Sequence, residues 1–242
     1  MSEDTHTTAS FYDAIAARYD ADMEDGTDNT KLRTSFRHRV SAIAGVGRPI
    51  LDFGCGTGAD AAWYAARGHR VIAYDISAGM VAGLRQRCPS EIADGTISAT
   101  AGDLDVLLDT LSRTGRVAAI AANFAVLNHV RDLAPLLEAL APHLAEDGVV
   151  VASLLNPFYR RDIAQRWWWR GVAGSLQTGA IRTDGDVTTY RHFRRTVRRM
   201  ATPRFVLTEW RGASSESPRT PVESAPAMLS DNFIFAVLRK RG

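Results

Sequence analysis

From Pro49 onward the chain alternates short, almost wholly apolar runs with longer stretches in which apolar and polar positions mix. Ile50-Leu51-Asp52-Phe53 reads as a first strand that runs into glycines. Alanine-rich Ala59 to Arg67 follows as a helix and closes on Gly68, the residue expected just past a helix end. Val71 to Tyr74 gives a second strand ending at Asp75, and Ser77 can cap a helix that runs to Arg87 before Pro89 stops it. Thr96 to Ala101 is a third strand, and Val117 to Ala122 a fourth after the turn Arg113-Thr114-Gly115. Asp132 caps a helix from Leu133 to Leu144, with Pro135 tolerated in its first turn, and Asp147-Gly148 turns the chain into a fifth strand, Val149 to Leu155. Strands alternating with helices in this way predict an α/β, doubly wound, mostly parallel sheet.

Beyond Pro157 the alternation breaks. Phe158 to Trp169 reads as an aromatic helix, Leu176 to Arg191 as a hairpin around Thr183-Asp184-Gly185, and Tyr190 to Met200 as a basic helix. Two β-like runs close the chain, Phe205 to Trp210 and Phe233 to Leu238, joined by the proline- and serine-rich loop 213–227.

Composition narrows the class. The chain has 242 residues, 45% hydrophobic and 23% charged, which excludes disorder as its main state and allows one large domain or a modest one with additions. No stretch reaches the roughly 18 uninterrupted apolar residues of a membrane span, and the acidic start lacks a leader pattern, so a cytoplasmic protein is expected. Two cysteines, Cys55 and Cys88, suit neither a disulfide framework nor a four-thiolate zinc site, and no metal is expected. The net charge of +2 conceals a segregation. Residues 1–30 hold eight acidic side chains against Arg18, whereas residues 160–211 hold twelve arginines against four acids. One expectation is that these opposite charges attract across the mouth of a pocket.

Candidate chemistry centres on Leu51-Asp52-Phe53-Gly54-Cys55-Gly56-Thr57-Gly58-Ala59-Asp60, a strand, glycine turn and helix start that lets a ligand approach bare backbone. The spacing also satisfies the loose dinucleotide pattern, with Asp75 twenty-one residues after Gly54 where a ribose-binding acid belongs. Asp52 argues against a dinucleotide, since a carboxylate beside the loop repels a pyrophosphate. S-adenosylmethionine has no phosphate and carries an ammonium and a sulfonium beside one carboxylate, so it suits an acidic rim.

The three successive segments LDFGCGTG, VIAYDIS (Val71 to Ser77) and AGDL (Ala101 to Leu104) resemble the cofactor motifs of class I S-adenosylmethionine-dependent methyltransferases over about residues 47–155. The resemblance implies a Rossmann-like, seven-stranded sheet with one antiparallel strand, supplied by the two C-terminal runs. It implies that Asp52, Gly54, Gly56 and Gly58 hold the methionine part of the cofactor and that Asp75 accepts from the ribose hydroxyls. Asp103, after Gly102, would accept from the adenine amino group, with Ile76 and Leu104 flanking the ring and Asn123 completing the pocket. The segment Phe11 to Asp22 is similar to the lid helix of small-molecule members, where tyrosines lie near the methyl donor. Tyr12 and Tyr19, seven residues apart, would share a helix face there.

The resulting domain reading is a helical N-terminal cover (1–46), the cofactor-binding core (47–155), an insertion over the acceptor pocket after the fifth strand (156–189), and a C-terminal helix with the last two strands (190–242). The sequence alone leaves three readings open: methyl transfer to a small, aromatic or partly apolar metabolite, yielding S-adenosylhomocysteine; transfer to RNA or protein; or cofactor binding without catalysis. The segment after the fourth strand, Asn123-Phe124-Ala125-Val126, lacks the proline pair of base-methylating enzymes, which disfavours nucleic acid. Candidate bases are His129, Tyr190 and His192. Arg191, Arg194, Arg195 and Arg198 recur at helical spacing, as a solvated face also would. Trp167, Trp168 and Trp169 cannot share one helix face, so at least one is expected to be exposed or to meet a lid, a ligand or a second subunit of a homodimer.

Overall fold

The computed structural model describes residues 3–24, 27–214 and 229–242. Three helices lead in: α1 (Glu3–Ile15), α2 (Tyr19–Glu24) and α3 (Thr27–Ala44). The alternating core follows as β1 (Ile50–Phe53), α4 (Ala59–Ala65), β2 (Val71–Asp75), α5 (Ala78–Arg87), α6 (Pro89–Ala93), β3 (Ile97–Ala101), α7 (Leu104–Thr114), β4 (Val117–Ala122), a 3₁₀ turn (Val126–His129), α8 (Leu133–Leu140) and β5 (Leu144–Leu155). The insertion comprises α9 (Arg160–Ile163), α10 (Arg166–Thr178) and the hairpin β6 (Ala180–Thr183) and β7 (Thr189–His192). Helix α11 (Arg194–Ala201) and strands β8 (Phe205–Gly212) and β9 (Phe233–Lys240) complete the fold.

Seven strands lie in the order β3-β2-β1-β4-β5-β9-β8, with β9 antiparallel to both its neighbours and all the other strands parallel to one another. This is the doubly wound sheet with one antiparallel strand that the motifs imply. Strands β1, β2 and β4 are buried on both faces, which is why they read as apolar runs broken only by Asp52 and Asp75. Alternate side chains feed two cores: Leu51 and Ile120 join Leu107, Leu137 and Trp210 on one face, and Ile50 and Ala119 join Phe36, Tyr64 and Leu84 on the other. The chain reverses its direction of winding between β1 and β4, and in such sheets the crevice outside the carboxyl ends of the strands there is where ligands bind.

Several boundaries differ from the sequence reading. Helix α8 stops at Leu140 because Pro142 cannot donate to it, so β5 begins at Leu144 and runs through Asp147-Gly148. The aromatic helix breaks into α9 and α10, and α10 continues through Leu176 to Thr178, where Gly179 in the left-handed region ends it. Tyr190, Arg191 and His192 belong to β7, so the basic helix begins at Arg194 and Arg191 is not on its face. Tyr12 and Tyr19 lie on two helices separated by a turn, although their rings meet edge to face at 6.3 Å. Most of loop 213–227 lies outside the described residues.

Candidate active site

A cavity of about 450 Å³ opens above the carboxyl ends of β1, β2 and β4 and is partly covered by the N-terminal helices through Thr8, Tyr12, Tyr19 and Arg33. Its floor is the glycine loop. Gly54 has φ +77°, and a Cβ there would sit 2.5 Å from Val126 Cγ2, so only glycine lets the loop lie against the turn after β4. At Gly58 a Cβ would instead meet Leu84 at 2.5 Å, so this glycine serves the packing of α4 on α5.

Asp75 ends β2 with both carboxylate oxygens engaged. Oδ2 accepts from the Gly56 amide and Oδ1 from the Ser77 amide, each at 2.9 Å. Burial raises its pKa while these amides oppose the rise. The remaining lone pairs are available to a ligand hydroxyl. Asp103 caps α7, accepting from Val106 N at 3.2 Å, and still lines the cavity beside Leu104; Ile76 lies opposite, after β2.

Asp60 closes the glycine motif, yet the resemblance gives it no role. It sits in the first turn of α4 and lines the cavity, bound by Arg37 Nε at 2.6 Å and Asn123 Nδ2 at 2.8 Å, with Arg33 Nε at 3.7 Å. Asn123 Oδ1 accepts in turn from Ser153 Oγ and the Phe124 amide. After it, Phe124 and Ala125 both hold positive φ, 51° and 64°, a strain that persists where the surroundings fix it and that clusters at functional sites. It turns Phe124 to the cavity, where its ring lies 4.9 Å from the Arg33 guanidinium.

The structure brings Tyr12, Tyr19, Gly54, Gly56, Asp75, Ile76, Asp103, Leu104, Asn123 and His129 to the cavity wall. It does not bring Asp52, Gly58, Gly102, Tyr190 or His192 there. Asp52 lies behind the wall on β1, buried, with Oδ2 lacking a hydrogen-bond partner; burial first and Asp60 second push its carboxyl well above the usual carboxylate range. Gly102 offers its carbonyl to the Tyr74 hydroxyl at 2.9 Å. His192 is fully buried with Nε2 against the Val130 carbonyl at 3.0 Å, and Tyr190 stacks on it, its own carbonyl accepting from Asn128. Both side chains build the joint between insertion and core.

His129 is placed differently. Its Nδ1 is 3.3 Å from the Thr188 carbonyl, which can only accept, so Nδ1 carries the proton. Nε2 is then the acceptor for the Tyr12 hydroxyl at 3.1 Å. Burial lowers the pKa of His129 and raises that of Tyr12 to about 12, so both are neutral near pH 7. The cover is fastened to the core: Asp13 accepts from Ser77 Oγ and Gly79 N, and Asp20 from Thr57 Oγ1 and Arg87. Of the eight acidic side chains of residues 1–30, those of Asp13 and Asp20 bind these groups of the core; the other six, on which the expected attraction to the arginines of 160–211 also rests, lie outside the described side chains.

Five carboxylates, Asp60, Asp75, Asp103, Asp105 and Asp132, face this cavity against one guanidinium, Arg33, among the described residues. That charge opposes a pyrophosphate and fits a ligand with a cationic end. A family model described as a methyltransferase domain matches residues 25–184. The chain belongs to the methyltransferase family. The class I resemblance drawn from the three motifs is thereby borne out. Solved structures of similar fold include the N-methyltransferase NodS of Bradyrhizobium japonicum in complex with S-adenosylhomocysteine, 17% identical with a TM-score of 0.64 over 98% of this methyltransferase and 100% of that chain. The 1,6-didemethyltoxoflavin-N1-methyltransferase of Burkholderia thailandensis is 15% identical, with a TM-score of 0.63 over 100% and 92%. The chain that pairs with the Trm112 methyltransferase activator in a Haloferax volcanii complex is 18% identical, with a TM-score of 0.62 over 96% and 98%. No curated protein matches. No helix among the described residues is long and apolar enough to cross a membrane.

Proposed function

We propose that this methyltransferase moves the methyl group of S-adenosylmethionine to a small, partly apolar metabolite in the cytoplasm and releases S-adenosylhomocysteine. The carrying observation is the acidic cavity on a glycine floor, with Asp75 pinned by two loop amides at its ribose position. The cofactor supplies an activated methyl group on a sulfonium; the protein's part is to align the acceptor and exclude water. Asp75 holds the ribose, Asp103 the adenine amino group between Ile76 and Leu104, and Arg33 the methionine carboxylate. The neighbour that carries bound toxoflavin precursor supports a small acceptor.

A ligand that binds only the folded state stabilises it by about 2.7 kcal/mol at one hundred times its Kd. Thermal shifts with S-adenosylmethionine and S-adenosylhomocysteine should therefore be several degrees, and a nicotinamide dinucleotide should give none. Stabilisation by the dinucleotide alone overturns the reading. Transfer to RNA or protein is the second reading, favoured by eight exposed arginines on α9, α10 and α11; labelled methyl recovered in macromolecules would establish it.

A further inference from the structure

The acceptor side of the cavity is formed by Thr8 and Tyr12 from α1, Phe124 and Val126 after β4, and His129 and Val130 from the turn before α8. None of these side chains carries a fixed charge. The one guanidinium among the described lining residues, Arg33, already faces Asp60 and the Phe124 ring. Helix N-termini often hold anions, but of those that border the cavity α7 and α8 are already capped by the carboxylates of Asp103 and Asp132, and α4, which has no side-chain cap, carries Asp60 in its first turn. With Arg33 given to the methionine carboxylate, a carboxylate or phosphate group brought here finds no second guanidinium among the described lining residues and shares the cavity with five carboxylates.

The side does present one basic lone pair. His129 Nε2 is unprotonated because the Thr188 carbonyl fixes the proton on Nδ1, and it faces the cavity with a hydroxyl, that of Tyr12, donating to it. The groups packed on this imidazole are the Tyr12 ring from α1 and the hairpin backbone at Thr188. A nitrogen held by a third group and meeting an O–H donor has the arrangement of a general base.

Building on the methyltransferase reading above, we propose that the acceptor is neutral at its reacting atom and bears a proton there, as a hydroxyl or an N–H, and that His129 takes that proton. Carboxylate and phosphate oxygens are not acceptors. As the acceptor lone pair bonds to the methyl carbon, the carbon–sulfur pair stays on sulfur and the acceptor proton passes to Nε2. The imidazolium so formed is held by the Thr188 carbonyl and later yields its proton to water. Nε2 has a single lone pair, so the acceptor displaces the Tyr12 hydroxyl, which marks the position of the reacting atom.

Two measurements test this. In the wild-type protein saturated with S-adenosylhomocysteine, ¹⁵N NMR of His129 should show the Nδ1–H tautomer and a titration below the ordinary histidine value of about 6.5. An Nε2–H tautomer or an ordinary titration overturns the proposal. In the second, labelled S-adenosylmethionine is incubated with a metabolite extract of the source organism, fractionated by anion exchange. The label should enter the neutral and cationic fractions in a form stable to mild alkali. Label in the anionic fraction, labelled methanol released by alkali as from a methyl ester, or no transfer to the neutral and cationic fractions overturns it. His129→Gln should cut transfer at least 100-fold with S-adenosylhomocysteine affinity within about fivefold, whereas retained transfer counts against the base. Failure of the wild type to bind S-adenosylhomocysteine would instead remove the underlying methyltransferase reading.

Discussion

Asp75 and Asp52 are both buried carboxylates on adjacent strands, and burial raises the pKa of each, yet their surroundings oppose that rise to different degrees. Asp75 has amide donors at Gly56 and Ser77 that favour its charged form against burial. Replacing it with asparagine removes a charge-assisted acceptor, worth about 1.5–3 kcal/mol, so affinity for S-adenosylhomocysteine should fall roughly 10- to 100-fold by calorimetry. Glu91→Ala, on α6, should leave that affinity unchanged. Asp52 has Oδ2 without a partner and Asp60 nearby, so its charged form costs stability. Its native pKa lies above the unfolded value, so the folded state holds the proton longer. The stability this gives relative to the unfolded chain is present at low pH and lost as pH rises from about 4 toward the native value. Asp52→Asn should therefore be more stable than wild type at pH 7 by about 1–2 kcal/mol in urea unfolding, with the gap narrowing toward pH 4. A gap that does not change with pH would assign the effect to packing.

At the scale of elements, the insertion is anchored by one tryptophan and not by its neighbour. Trp168 is buried, its ring edge-on to Trp169 and its Nε1 donating to the Pro157 carbonyl at 2.7 Å. Trp169 is 61% exposed. Trp168→Ala should cost about 3–4 kcal/mol in unfolding free energy and Trp169→Ala under about 1. Adjacency on a helix made it certain that the three tryptophans would diverge, but not which one turned inward, because that is decided by where Pro157 stops β5. The same limit explains what else was legible. Strands β1, β2 and β4 announce themselves because a strand buried on both faces is mostly apolar, broken here only by Asp52 and Asp75 near the carboxyl ends. The junction of α10 and β6 does not, because its stop signal, Gly179, follows polar Gln177 and Thr178 that suit a hairpin equally. Within the site, Asp75, proposed for the ribose, stood at a strand end and could be found by its spacing from Gly54, and Asp103, proposed for the adenine, by its place in a motif of the resembling family. Arg33 and Asp60 meet across 27 residues only after α3 packs on α4, and no local pattern marks such a pairing.

Across the whole molecule, arginine takes two forms that the sequence runs together. Some arginines at the surface are matched by carboxylates: Arg48 by Asp147, Arg113 by Asp109, Arg204 by Glu138. On α11 the side chains of Arg194, Arg195, Arg198 and Arg199 are exposed, and Thr196, Val197 and Ala201 face inward. Among the described residues none of those four has an ion-pair partner. Arg191, four residues before Arg195, is instead buried on β7, with Asp162 at 2.8 Å, the Asn156 carbonyl at 3.0 Å and the Trp167 ring at 5.3 Å. A like-charged, solvated face contributes little to folding, whereas removing one partner of a mostly buried pair strands the other. Changing all four α11 arginines to glutamine should leave unfolding free energy within about 1 kcal/mol and leave S-adenosylhomocysteine affinity unaltered. The same change should shift cation-exchange elution to lower salt. Arg191→Gln alone should cost about 3 kcal/mol and hardly move the elution. If the α11 variant lost methyl transfer while keeping cofactor affinity, the face would belong to acceptor recognition and the acceptor would be an anion, which counts against the acceptor proposed above.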